Sequence, residues 1–505
     1  MTINNTTGRA VLIASLLGST AATADVTAQE VWTTFKDNLA IYGEQSLTVG
    51  SESMDGGVLT ASDVVLTFSD PEVTVTSNMG TITFTEQGDG TVAIDMAEVT
   101  PMTVELTPTY GGATTINMSV TQEGASLVAG GTPEEISYDL TAARYTISLD
   151  SIEGETEDVI VNAVQLVMSD IEGGYVMSSA DGLDNVEYGF STGEISAVVD
   201  IAEDGGPGTF QFLGTISDLE TDAVAAVPSE MDIDSPETAF VDGLSLDAGY
   251  SFGASNYAFS FTERNDTIQG TASAEGGDLN IFMDASGFAY SGGAMAPHVT
   301  FAGPDLPFPV DVSMAEYGYA IEMPLAATED SEEFGLAILL SELSVNEEVW
   351  GMVDPTGMLS HDPATVSVDV SGTGKLYFDV LDPAQMQSMM MSDMPGELES
   401  LSINDLTISV AGLNVLGGAE FTFDNSDLET FGGFPAPEGS AELQVSGANQ
   451  LIDSLVQMGL LPEDQVMGAR MMMGMFANTV GDDQLESSLE VNDQGHIIVN
   501  GQRIQ

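Results

Sequence analysis

The pentapeptide Gly189-Phe190-Ser191-Thr192-Gly193 has the G-x-S-x-G spacing of a hydrolase nucleophile elbow. That chemistry needs a strand ending at the serine, a helix leaving it, and a histidine base brought in from elsewhere. Immediately downstream, Glu194, Ile195 and Val198 form an alternating run that predicts more strand. Three histidines are available as bases: His298, His361 in a Pro- and Asp-flanked loop, and His496 in a terminal hairpin. No catalytic residue is assigned on this basis. A hydrolase using Ser191 or a carboxylate pair stays open as an alternative, although 80 acids guarantee accidental pairs.

Metal chemistry is equally poorly supported. With no cysteine and no H-x-x-x-H spacing, there is no zinc signature. Asp232-Ile233-Asp234 and Asp424-Asn425-Ser426-Asp427 offer oxygen ligands, yet neither completes an EF-hand loop. A calcium-stabilised structural or adhesive protein is therefore an alternative, with no metal residue named. Gly372-Thr373-Gly374-Lys375 lacks the upstream glycine and the following Ser or Thr of a phosphate loop, and it reads as strand and turn. No cofactor is expected.

The methionines are the more informative residues. Of 26, one group holds Met386, Met389 and Met390, followed by Met391 and Met394. A second holds Met467, Met471 and Met475, with Met472 and Met473 between them. Thioether side chains are flexible and polarizable, so they suit surfaces that accept varied apolar partners. Met386, Met389, Met390, Met467, Met471 and Met475 are the candidate ligand-binding residues; helices buried among sheets are the plainer reading.

These groups must be positioned by a mainly β framework. Thr27 and Glu30 have capping-box spacing, and Val31, Phe35 and Leu39 recur at i and i+4, so a helix is predicted within residues 25–45, stopping at Gly43. From Leu47 the apolar period becomes two. Ile82 and Phe84, a Gly88-Asp89-Gly90 turn, then Val92, Ile94 and Met96 make a hairpin. The same rhythm returns at Met102-Val104-Leu106, Ile116-Met118-Val120 and Tyr145-Ile147-Leu149. One face of each strand is apolar and the other Thr- and Ser-rich, the mark of large antiparallel sheets with one wet side. The acidic stretch Asp222 to Pro236, with two prolines, divides the strands into β-rich halves over 46–221 and 237–505. Strands resume at Tyr250-Phe252 and Tyr257-Phe259-Phe261, joined through Gly253–Asn256. Short helices are expected after Asn346, after Asp382-Pro383, and as a pair hinged at Gly459, with a last hairpin turning at Asp493-Gln494-Gly495.

Composition bounds the compartment and the partners. The chain has 505 residues, 43% hydrophobic, and carries 80 Asp and Glu against 7 Lys and Arg, for a net charge of −73. Enough apolar material is present for a folded core, so the acids describe a surface. That surface repels phosphates, and nucleic-acid binding is not expected. Arg9, the apolar run Ala10 to Leu17 and Ala22-Thr23-Ala24 read as a signal peptide over residues 1–24, cleaved after Ala24. No segment of the mature chain is long enough for a transmembrane helix. An exported, cysteine-free chain standing on its core alone fits a periplasm, and the acidity fits a salty medium.

The C-terminal third carries a resemblance. Glu348-Val-Trp350-Gly-Met-Val-Asp354-Pro355-Thr-Gly357 leads to His361-Asp-Pro363 and Phe378-Asp-Val-Leu-Asp382-Pro383. Further on come Phe421-Thr-Phe-Asp-Asn425, Gly459-Leu-Leu-Pro462, Gly468-Ala-Arg470 and Asn500-Gly-Gln-Arg-Ile504. With Gln29-Glu30-Val31-Trp32, these segments resemble the exported alphaproteobacterial family known as domain of unknown function 2125. The resemblance implies an envelope protein and supplies no catalytic residues. The strand-rich style is also similar to AsmA-type envelope proteins, which shield lipid in a β-groove. The expectation is a periplasmic, non-enzymatic protein holding a lipid or another apolar ligand.

Overall fold

A computed structural model describes residues 26–40, 46–108, 112–154, 159–229, 236–264, 266–392 and 395–504. The expected leader, Gly43, Asp232-Ile233-Asp234 and Met394 lie outside these described residues. The fold is mainly β, and every strand pairing is antiparallel within one sheet. Six helices punctuate it among the described residues: α1 (Ala28–Ala40), α2 (Pro236–Val241), α3 (Glu347–Val353), α4 (Pro383–Met390), α5 (Ala448–Gln457) and α6 (Glu463–Phe476).

Local spacing forms the first helix as expected. The Thr27 backbone N–H donates to Glu30 Oε2 at 2.9 Å, and the Glu30 N–H donates to Thr27 Oγ1 at 3.3 Å. This is a closed capping box. The hairpin after it also forms, with Phe84 paired to Ile94 and Glu86 to Val92. Helix α1 lies on the apolar face of these strands. Trp32 is fully buried, 5.3 Å from the Phe84 ring, among Val31, Leu59, Ile82 and Val92. Ala28 N–H donates to Glu86 Oε1 at 3.1 Å and Val26 N–H to the Gly90 carbonyl at 3.2 Å, tying the helix start to the hairpin.

The stretch Asp222 to Pro236 is not a simple break. Its first residues complete the strand Thr209–Pro228, whose Asp222-Ala223-Val224-Ala225 segment pairs with Leu183–Glu203 on one side and Ser245–Phe252 on the other. The acid alternates outward, and Pro228 falls at the strand end, where its missing N–H costs no ladder bond. The two aromatic runs are joined at Gly253–Asn256 without reversing direction. Ser245–Phe252 and Ser255–Glu263 lie end to end, both paired to Thr209–Pro228.

That interruption belongs to a crease crossing much of the sheet. Asp63, Asp170, Asp218 and Glu342 sit inside strands with φ of 53°, 51°, 49° and 53°. Left-handed backbone is rare for non-glycine residues and best tolerated by Asp and Asn. Asp63 and Glu342 lie at register shifts, whereas pairing runs on in register past Asp170 and Asp218; the alternation of apolar positions reverses there. In Val159–Ala180, Leu166 and Met168 pair with Ala197 and Ile195; past Asp170 the apolar positions become Ile171 and Tyr175, paired with Thr192 and Tyr188. Opposite each of two such aspartates stands a glycine. A Cβ on Gly193 would lie 3.2 Å from Asp170 Cβ, and one on Gly253 would lie 3.0 Å from Asp218 Oδ2. The crease therefore keeps apolar side chains on one face while the strands bend.

Candidate ligand-binding face

Residues directly paired across antiparallel strands share a face, so the pairing registers trace the apolar surface strand by strand. From the buried end, Phe84 pairs with Ile94, Ile94 with Leu127, and Leu127 with Leu140. The row continues through Gly173 and Phe190 to Thr221 and Tyr250. It then crosses Leu279, Gly292, Tyr319 and Ile338. Val368, Leu406, Gly417 and Leu443 carry it almost to the C-terminal edge. From Phe190 to Leu443 this makes ten strand spacings of about 4.8 Å, or roughly 48 Å.

Aromatic rings tile the row. Where a ring lies over the neighbouring strand, that strand carries glycine: a Cβ on Gly292 would sit 3.0 Å from Tyr319 Oη, and one on Gly173 would sit 2.5 Å from Phe190 Cδ1. Tyr319 also stands 5.3 Å from Tyr290 and 5.8 Å from Tyr317, ring to ring. Phe259 and Phe301 stand 6.4 Å apart on a parallel row.

Past the α1 end of this surface burial becomes sparse among the described residues, with Ala239 and Phe240 of α2 and Leu325 as local exceptions. Ala223 is the one buried hydrophobic strand residue between Ile171 and Leu325. Tyr250, Phe261, Phe301, Tyr317, Leu336 and Ile338 are all exposed on it. Exposed apolar area on that scale marks an interaction surface. The reverse face holds Ser191, Glu194, Ser196 and Asp200 along one strand and is the more polar side there, although exposed Leu213, Val224 and Leu416 also fall on it. A depression of about 710 Å³ on the polar side is lined by Ser402, Asn404, Glu420, Glu442 and Gln444, the wrong chemistry for an apolar ligand.

The methionine candidates are placed in two separate groups. Met386, Met389 and Met390 are on α4, beyond the Leu376 end of the strand Ala364–Leu376. Met467, Met471 and Met475 are on α6, with α5 and α3, beyond its Ala364 end: Ser446 aligns through Asn414 and Ser409 to Thr365. The strand's 13 residues hold the groups roughly 40 Å apart. Met386 and Met389 are half-buried, whereas Met390, Met467, Met471 and Met475 are exposed.

Ser191 lies mid-strand, paired with Glu172 and Glu220, and its hydroxyl donates to the Glu172 carbonyl at 3.3 Å. No elbow exists there. Gly372–Lys375 lies within a strand, with a register shift between Thr373 and Gly374. Asp424 accepts from Ser426 N–H and Oγ at 2.9 and 2.6 Å, and Asp427 accepts from Thr430 N–H and Oγ1 at 3.0 and 2.6 Å. These carboxylates shape their own loop. His298 bonds Asp311 at 3.0 Å. His361 stacks on Trp350 with 4.4 Å between ring centroids, bonds Glu347 Oε2 through Nδ1 at 3.0 Å, and brings Nε2 within 3.6 Å of Asp354. Asp354 is buried and accepts from the Leu359 N–H at 2.6 Å and Thr356 Oγ1 at 3.0 Å. The Leu359 amide is the main cause holding its carboxyl below the ordinary range. This cluster pins the loop that comes after α3.

Sequence reasoning found the strands but not the row, because Tyr250, Tyr319 and Ile338 gain meaning only from their partners. A signal did exist: each Asp-centred reversal of alternation keeps the apolar residues in phase. Comparison with protein-family models, with curated proteins and with solved structures finds no match.

Proposed function

We propose that this chain is a non-enzymatic carrier or holder of extended apolar molecules, foremost lipid acyl chains, acting in the periplasm after removal of residues 1–24. The observation that supports it most is the open row from Phe190 to Leu443, apolar and largely uncovered. Extended hydrocarbon would recover burial along that row at about 25 cal/mol per Å². The more polar reverse face keeps such a sheet soluble while one side is greasy. The reading also agrees with the resemblance to exported envelope proteins.

The test is to purify the mature chain from an envelope extract and identify co-purifying lipid by mass spectrometry. The double change Tyr319→Glu and Ile338→Glu places charge in the middle of the row and is expected to abolish retention while leaving the strand signature in circular dichroism. Wild-type protein that retains no lipid and takes up none from vesicles would remove this reading. N-terminal sequencing of the exported protein should begin at Asp25; a retained Met1 would refute the cleavage.

A further inference from the structure

We infer that α6 is a bilayer-docking helix, seated at the rim of the sheet where the apolar face could load. The inference rests on the lipid-holding reading for its purpose, but on separate observations for its existence.

Helix α6 has two unlike sides. Arg470 faces α5, its Nη2 2.6 Å from Asp453 Oδ1, and Val466 and Met473 share that half-buried side. At 100° per residue, Met467, Met471 and Met475 form one stripe, with Met472 and Phe476 continuing the arc to about 180°. Met467, Met471, Met472 and Met475 are 77%, 68%, 59% and 64% exposed, and Phe476 44%. Half the helix circumference thus offers apolar side chains to solvent along about 14 Å, from Met467 to Phe476.

Charge points to the occupant. From Gln465 to Gly481 there is no Asp or Glu, in a chain with 80 of them. Over these residues no carboxylate stands between the helix and a membrane surface. The arc also has no cation that would select an acidic partner, since its Arg470 is already paired with Asp453. A face of flexible thioethers whose only acids are Glu463 and Asp464 in the first turn suits the fluid acyl boundary of a membrane, where depth of apolar burial sets affinity. The placement fits as well, because α5 is anchored to the sheet end by Asn449 and Gln450 N–H donors to Asp483 and by Ser454 Oγ to the Met358 carbonyl.

Flotation of the full mature chain with phosphatidylcholine vesicles tests this. Wild-type protein should float, and the triple change Met467→Glu, Met471→Glu, Met475→Glu should lower the floating fraction on the order of tenfold, because it removes the apolar arc. The same three positions changed to Leu should float as wild type. Replacing part of the phosphatidylcholine with phosphatidylglycerol should weaken binding, and added salt should restore it by screening the acidic body. If the triple variant loses its strand signature, the single exposed change Met471→Glu carries the test with a smaller loss. Wild-type protein that stays with the dense fraction, or a folded glutamate variant that floats equally well, overturns the inference. The sources of failure separate: a chain that floats but holds no lipid defeats only the carrier reading, and one that holds lipid but never floats defeats only the docking helix.

Discussion

The apolar face is covered at one end and largely open along the rest. Over the first strands α1 supplies a second layer, and Trp32, Phe84, Leu59 and Val92 are all sealed from water. Ten strands further on in the same row, Tyr319 is only half-buried and Ile338 is exposed. The residue types scarcely differ between the two ends. Their consequences should: burial at the first end is stability, and exposure at the second is capacity to bind.

The largest effect should come from Trp32→Ala, which empties the seal between helix and sheet and should cost about 3–5 kcal/mol by denaturant unfolding. A loss below about 1 kcal/mol would mean that α1 is not the fold's anchor, and the contrast between the ends would collapse. Tyr319→Ala should cost only about 1 kcal/mol, the worth of its contacts with Tyr290 and Tyr317. Its lipid retention should nevertheless fall, which Trp32→Ala should affect only through unfolding. Comparable stability losses for the two would sharpen the point differently, by showing a cover over Tyr319.

Between these lies the crease. Asp170→Val puts a β-branched residue at φ 51°, and it should destabilise by about 1–2 kcal/mol. If the crease is what keeps Met168 and Tyr175 on one face, this variant should also lose bound lipid while its strand content persists. Retained lipid at lowered stability would assign the crease to strain alone.

Features set by neighbours in sequence were legible: the capping box at Thr27, the hairpin around Gly88–Gly90, and the helix pair hinged at Gly459, which has φ of 73°. Features set by partners far along the chain were not. Acids and prolines in Asp222–Pro236 read as a boundary, because breaker composition is counted without knowing which face Asp222 points to or that Pro228 ends its strand. The methionine spacing predicted helices correctly, but helical period says nothing about which end of a 13-residue strand a helix reaches. The open row needed pairing registers, which no local pattern encodes.

The smallest effect concerns the loop after α3, where order is electrostatic rather than apolar. Asp354 carries its charge in the folded state more readily than a free aspartate, chiefly through the Leu359 N–H. A carboxyl with a lowered folded pKa contributes stability above its unfolded value of 3.8, and that contribution disappears as pH falls through the lower folded value. Asp354→Asn should therefore melt at a lower temperature than wild type at neutral pH, with faster amide exchange at Leu359. The two melting temperatures should begin to converge as pH falls below the unfolded value of 3.8 and should meet below the lowered folded value, once the wild-type carboxyl is protonated too. A difference that stays unchanged as the pH is lowered through the whole acid range in which the protein stays folded would show that Asn fails on shape, not charge.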